Sequence, residues 1–243
     1  MLTSYKDIFD GLNKKGIYHF GSYISASQYT KAYDLVRKYG RNKLNVLDWV
    51  TGSGHFSYFL STQGYDVTAF TIEQESNLAN YLKNSFSNKY KLLSNQNPVK
   101  PLPFNNDCFD MVVSIGVLEH VMETGNKEIN SLLEIRRVLK QNGIFICYHF
   151  PNKYSWIESI TKHLQSKYNH RFKYSYKDII KITGMSNLEI LEVVRYGILP
   201  RNTFRVAPNN LLLTKIFNII DSTLSVLLNP FCQNYYFVAR KLD

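Results

Sequence analysis

Short apolar runs alternate with segments of helical spacing along most of the chain, the pattern of repeated strand–helix units that build a parallel sheet. Residues 44–49 (LNVLDW) form the first run and predict a strand. A turn carrying Gly52 and Gly54 follows, then Phe56, Phe59 and Leu60 at helical spacing, so a helix is expected from about His55. Residues 66–72 have clear β character, 76–88 suit a helix and 91–94 a short third strand. Residues 109–114 are apolar almost without interruption, the mark of a central strand buried on both faces. A helix near 126–140 carries Ile129, Leu132, Leu133 and Leu139 and should stop at Asn142–Gly143. Strands at 144–149, 188–196 and 235–240 complete the series, with a capped helix over 175–183.

Two regions lie outside this alternation. At the front, 3–14 predicts a short helix and 26–39 a second one, begun by a Ser25–Gln28 capping box and ended by Gly40. Its stripe is Tyr29, Ala32, Tyr33 and Val36, and an aromatic, glycine-bearing linker, 16–25, precedes it. Near the end, 199–229 interrupts the sheet. Its second half, 210–229, reads as an amphipathic helix with Leu212, Ile216, Ile219, Ile220, Leu224 and Leu227 on one stripe. Such a helix is expected to pack on the domain or against a second copy. Membrane-surface docking is the alternative, and Lys215 as the helix's single cation counts against it.

The strand–turn–helix at 44–60 is the chemically suggestive stretch. In open α/β sheets a ligand sits beyond the carboxyl ends of the strands, and glycine lets backbone approach it closely. A dinucleotide-binding turn and a plain glycine turn both fit these residues.

Composition changes the picture little. A chain of 243 residues fits one large α/β domain, taken as a single unit over 1–243. The N-terminus lacks an apolar core of signal-peptide length, no apolar run is long enough to span a bilayer, and a cytoplasmic location is expected. Cys108, Cys147 and Cys232 have no metal spacing and read as reduced thiols. The net charge of +10 favours anionic partners. Basic and aromatic residues interleave over 153–181, which suits nucleic acid, a phosphorylated acceptor or a solvated helix face.

Four pieces in order, the Asp48 turn, Leu102–Phe104, Phe109–Val121 and Arg136–Pro151, resemble class I S-adenosylmethionine-dependent methyltransferases, closest to the ubiquinone-pathway and small-molecule branch. The resemblance implies a seven-stranded, mostly parallel Rossmann-like sheet with helices on both faces. An N-terminal helical cap (1–40) and the 199–229 insertion would frame an acceptor pocket. It implies S-adenosylmethionine as cofactor, with the amino-acid end cradled by Thr51, Gly52 and Gly54 and with Asp48 holding the turn and acting on the ammonium side, directly or through water. The first of the family's three glycines is replaced by Val50. The family's ribose carboxylate would fall at Thr71, and Glu73 is the natural substitute. Asn95 stands in for the acid that meets the adenine amine. Ser114 and Ile115 lie at the cofactor end of strand four.

His149, where strand five meets the acceptor side, is the leading catalytic candidate, followed by His120. Tyr148 could orient His149, and Tyr18, His19 and Tyr23 are acceptor candidates. Some ubiquinone-pathway enzymes bind a divalent metal with a Glu three residues before a Glu–His pair. Here that position is Gly116, so no metal is expected, and Glu119–His120 is read as capping the next helix. The expected reaction is methyl transfer to a small-molecule or sugar hydroxyl by a monomer or homodimer, with nucleic acid a weaker possibility. A non-catalytic binding protein of the same fold and an NAD-dependent oxidoreductase are the alternatives, Ser57 at the third fingerprint position counting against the latter.

Overall fold

The computed structural model describes residues 3–40, 44–94, 101–163 and 170–242. Its strands are β1 (Asn45–Trp49), β2 (Asp66–Thr71), β3 (Tyr90–Ser94), β4 (Phe109–Ile115), β5 (Leu139–Pro151), β6 (Leu188–Tyr196) and β7 (Asn234–Lys241). They form one 7-stranded sheet in the order β3-β2-β1-β4-β5-β7-β6. β1 pairs in parallel with β2 and β4, β2 with β3, and β4 with β5, whereas β7 runs antiparallel to both β5 and β6. The order reverses at β1, so the carboxyl ends of β1 and β4 flank a crevice suited to a ligand.

The helices are α1 (Tyr5–Lys14), α2 (Tyr23–Ala26), α3 (Thr30–Tyr39), α4 (His55–Thr62), α5 (Asn77–Ser85), α6 (Glu128–Val138), α7 (Trp156–His163), α8 (Tyr176–Met185) and α9 (Leu211–Leu227). Successive strand residues point to opposite faces. Val46, Val67 and Met111 therefore pack with α1, α3, α4 and α5 on one side, while Leu47, Val112 and Phe145 pack with α6 and α8 on the other. Both faces are apolar, which explains the near-continuous hydrophobic runs.

Three expectations need correction. The helix expected over 26–39 is broken into α2, a 3₁₀ turn (Ser27–Tyr29) and α3. Ser22, not Ser25, caps its start, accepting from Ser25 N at 3.1 Å. The insertion pins this segment: Ser22 Oγ donates to Phe204 O at 2.6 Å and Tyr23 N to Asn209 Oδ1 at 2.9 Å. α6 ends at Val138, not Asn142, because buried Leu139 turns extended to pair with Phe109, leaving Asn142–Gly143 inside β5. Finally, α9 does not pack through its apolar stripe: Leu212, Ile216, Ile219, Ile220 and Leu227 are exposed, and Thr214, Asp221 and Ser225 are buried.

Candidate functional site

The turn after β1 is held by buried polar bonds. Asp48 Oδ2 accepts from Thr51 Oγ1 at 2.7 Å and Ser57 Oγ at 2.6 Å, and Thr51 N donates to Phe70 O at 2.9 Å. Burial raises the Asp48 pKa, opposed by the bonds from Ser57 and Thr51. Val50, Gly52 and Gly54 have φ of 58°, 52° and 86°. The backbone thus adopts left-handed geometry at all three alternate positions, with a valine holding the first. A Cβ added at Gly52 would meet nothing within 4 Å, so this turn opens onto free space.

That space belongs to a cavity of about 1890 Å³ spanning the ends of β1, β2, β4 and β5, with the N-terminal cap and the insertion over it. Ligand pockets usually occupy roughly 300–1,000 Å³, so this one has room for a cofactor and an acceptor together. Of the residues singled out in the sequence, Thr51, Gly52, Glu73, Ile115, Tyr18, His19, His120 and His149 line it. Glu73 is exposed at the rim, its backbone N–H donating to Thr71 Oγ1 at 3.1 Å.

Six other candidates do not line the cavity. Asp48 is turned into the turn itself, Gly54 caps α4, Thr71 braces Glu73, and Ser114 is fully buried within the sheet. Tyr23 donates to Asp10 Oδ1 at 2.6 Å, and Tyr148 to Gln28 O at 2.7 Å, both inside the domain. Asn95 lies outside the described residues.

His149 owes its place to a β-bulge. Between Cys147↔Phe237 and Phe150↔Tyr235, β5 holds one residue more than β7. His149 takes up the excess at φ 64°. Its N–H, freed from the ladder, donates to Tyr196 Oη at 3.0 Å, and the same hydroxyl lies 2.9 Å from Nδ1. Tyr196, rather than Tyr148, therefore orients the ring, while Tyr148 only packs its edge against it at 4.7 Å. His149 Nε2 is buried and has no partner among the described residues. Burial pushes the imidazole pKa down to about 3, with His19 and His55 adding to the effect, so the ring is neutral.

Two further groupings escape sequence reasoning. Tyr29 sits among three imidazoles, with ring centroids 4.6 Å from His55, 5.3 Å from His149 and 6.2 Å from His19. His55 is neutral as well, its pKa lowered to about 3 by burial, and its Nε2 has no partner among the described residues. Tyr29 was legible as part of an apolar stripe, but nothing in the spacing said it would face histidines.

The second grouping corrects the reading of Glu119–His120. The pair lies in a 3₁₀ turn (Leu118–Thr124) on the cavity wall and caps nothing, α6 starting after Lys127. His170 joins it from a loop that no motif connects to it, and ligand atoms of Glu119, His120 and His170 all lie within 4.8 Å of one another. Burial raises Glu119 to about 8, and its Oε2 lacks a partner among the described residues. Burial acts to lower His170, but Glu158, 2.5 Å from Nδ1, outweighs it and the net shift is upward. Lys173 also pairs with Glu158 at 3.1 Å. A carboxylate and two imidazoles this close are donors of a kind that can hold a divalent cation, although Glu158 draws His170 toward its protonated form.

Residues 47–147 match the family model described as a methyltransferase domain. An uncharacterized protein of Methanocaldococcus jannaschii is 33% identical over 112 residues, covering 46% of this chain and 44% of that protein. The match thus spans less than half of that curated relative's length. A SAM-dependent methyltransferase from Archaeoglobus fulgidus superposes with a TM-score of 0.58 at 15% identity, over 87% of this chain and 94% of that one. The [4+2]-cyclase SpnF superposes at 0.61 with 16% identity, over 91% and 83%. Identities this low speak for the fold, and the fold carries more than one chemistry. Residues 47–147 thus match a methyltransferase domain, and the strand order and glycine turn are those of the fold these structures share.

Proposed function

We propose that the chain transfers the sulfonium methyl group of S-adenosylmethionine to a hydroxyl of a small molecule or sugar. The observation that carries this reading is the bulge that sets a neutral His149, with an unpartnered Nε2, in the cavity that opens at Gly52. The cofactor supplies an already activated methyl group, so the protein's work is alignment, exclusion of water and care of one proton.

The turn at Thr51–Gly52 and the first N–H groups of α4 would take the amino-acid end, and Glu73 both ribose hydroxyls. Asp48 contributes by holding the turn. In the tautomer whose Nδ1–H donates to the Tyr196 oxygen, Nε2 keeps its lone pair and would take the proton of an acceptor hydroxyl as the methyl group passes from sulfur to that oxygen. Neutral His19 and His55 beside Tyr29 offer uncharged donors and acceptors suited to a polyol. Arg171 and Arg205, which also line the cavity, suit a phosphorylated or glycan-linked acceptor.

The test is transfer of labelled methyl groups from the cofactor to a panel of hydroxylated acceptors. His149→Asn keeps a residue type that tolerates positive φ, and it should lose about 10²–10⁴ in turnover while binding the cofactor normally. Near-normal turnover would leave alignment alone as the mechanism.

A further inference from the structure

α9 is mounted with its polar side inward. Asp221 Oδ1 accepts from Ile198 N at 2.8 Å and Leu199 N at 2.7 Å, and Oδ2 from Arg201 at 2.7 Å. Asn218 Oδ1 accepts from Ser27 Oγ at 3.0 Å. The outward side is largely apolar: Leu212 is 67% exposed, Ile219 56%, Val226 77% and Leu227 72%, and Val206 and Phe231, before and after the helix in sequence, are exposed too. This reverses the usual surface helix, whose apolar stripe faces the core. A contiguous apolar face of this kind marks a place where something docks.

Charge and position select the occupant. From Pro200 to Phe231 the one acidic residue is Asp221, buried against Arg201, and the exposed charges are Arg205 and Lys215. A second copy would set these cations against each other on chains of net charge +10, whereas an anionic surface is attracted to them. A single cation on the helix is weak by itself, but binding of an interfacial helix scales with the apolar area it buries, and electrostatics adds to that. α9 has 17 residues, and among the described residues no helix is long and apolar enough to cross a membrane, so a bilayer would be met from its surface. Finally, Arg201, Asn202, Thr203 and Arg205, which lead into α9, line the large cavity.

We propose that α9 docks flat on an anionic membrane, its apolar face in the headgroup–acyl boundary, with the cavity mouth beside the bilayer. The proposal does not depend on the reaction assigned above.

Flotation of the full chain with vesicles tests it. Vesicles of equal parts phosphatidylcholine and phosphatidylglycerol should carry the protein, and phosphatidylcholine alone should carry much less. Leu212→Glu with Ile219→Glu should weaken the anionic-vesicle binding about tenfold or more while cofactor affinity is unchanged. If that pair does not fold, Leu212→Asn with Ile219→Asn gives the same readout with a milder change. Protein that stays unbound with both vesicle types overturns the proposal, and equal binding to both overturns its anionic part. So does a dimer by light scattering that the same substitutions convert to monomer, since the face would then belong to a second copy.

Discussion

The hydroxyl of Tyr196 holds His149 at two points, 3.0 Å from its backbone nitrogen and 2.9 Å from Nδ1. One side chain on β6 thus satisfies the spare N–H of the β5 bulge and fixes the ring beside it. Tyr196→Phe removes both bonds and leaves a buried N–H unpaired, which should cost about 1–3 kcal/mol in urea unfolding. Turnover should fall by less than in His149→Asn, because the imidazole remains. An unchanged unfolding midpoint would show that the bulge does not need Tyr196.

Val50 lines the cavity at φ 58°. A β-branched residue in the left-handed region carries strain of about 1–3 kcal/mol. In Val50→Gly that relief is offset by lost packing of a half-buried side chain and by glycine's greater freedom when unfolded, about 1 kcal/mol each. Stability should therefore change little. Cofactor affinity by calorimetry should rise several-fold, as the backbone becomes open to closer approach. Weaker binding would instead mean that the valine side chain itself touches the cofactor.

His55 and His149 set an acid limit. Their pKa values lie near 3 in the fold against an ordinary 6.5. Below pH 6.5 the unfolded chain takes up protons that the folded one refuses, so stability falls as pH drops from 6.5 toward 3 and is unaffected by these groups above that range. Each ring contributes a slope of at most about 1.4 kcal/mol per pH unit. The loss in unfolding free energy between about pH 7.5 and about pH 5 should be smaller in His55→Gln and in His149→Asn than in the wild type. Equal losses in all three proteins would mean that these rings are not held neutral by burial.

Ser57 donates to a fully buried Asp48 that does not line the cavity. Ser57→Ala should destabilise the chain by about 1–3 kcal/mol, because a buried carboxylate loses a donor. Cofactor affinity should stay within a few-fold of wild type. An affinity loss larger than the stability loss would restore Asp48 to direct contact with the ligand.

Strand positions were legible because buried parallel strands need apolar residues on both faces, and β1, β2 and β4 fall within a residue or two of the runs that announce them. Gly52 was legible as a close-approach position. Asp48 was legible as a holder of the turn, but residue type at a strand end does not say whether a side chain faces the cavity or, as with Asp48 and Ser114, the protein interior. The bulge at His149 depends on pairing with β7, nearly ninety residues away in sequence. His170 meets Glu119 by a loop with no period or motif of its own. The stripe on α9 was legible as a stripe, but periodicity is the same whichever way the helix is mounted. Asp221 and Asn218 decide that orientation, by bonding to Arg201, Ser27 and the Ile198–Leu199 backbone.

The central claim is that the carboxyl ends of β1 and β2 grip S-adenosylmethionine. Calorimetric titration of the full chain with that cofactor tests it most directly. Saturable binding of one cofactor per chain is predicted, weakened about tenfold or more by Glu73→Ala and abolished by Gly52→Val, whose side chain would fill the open turn. Absence of heat from the wild-type chain, or identical affinity in all three proteins, would contradict it.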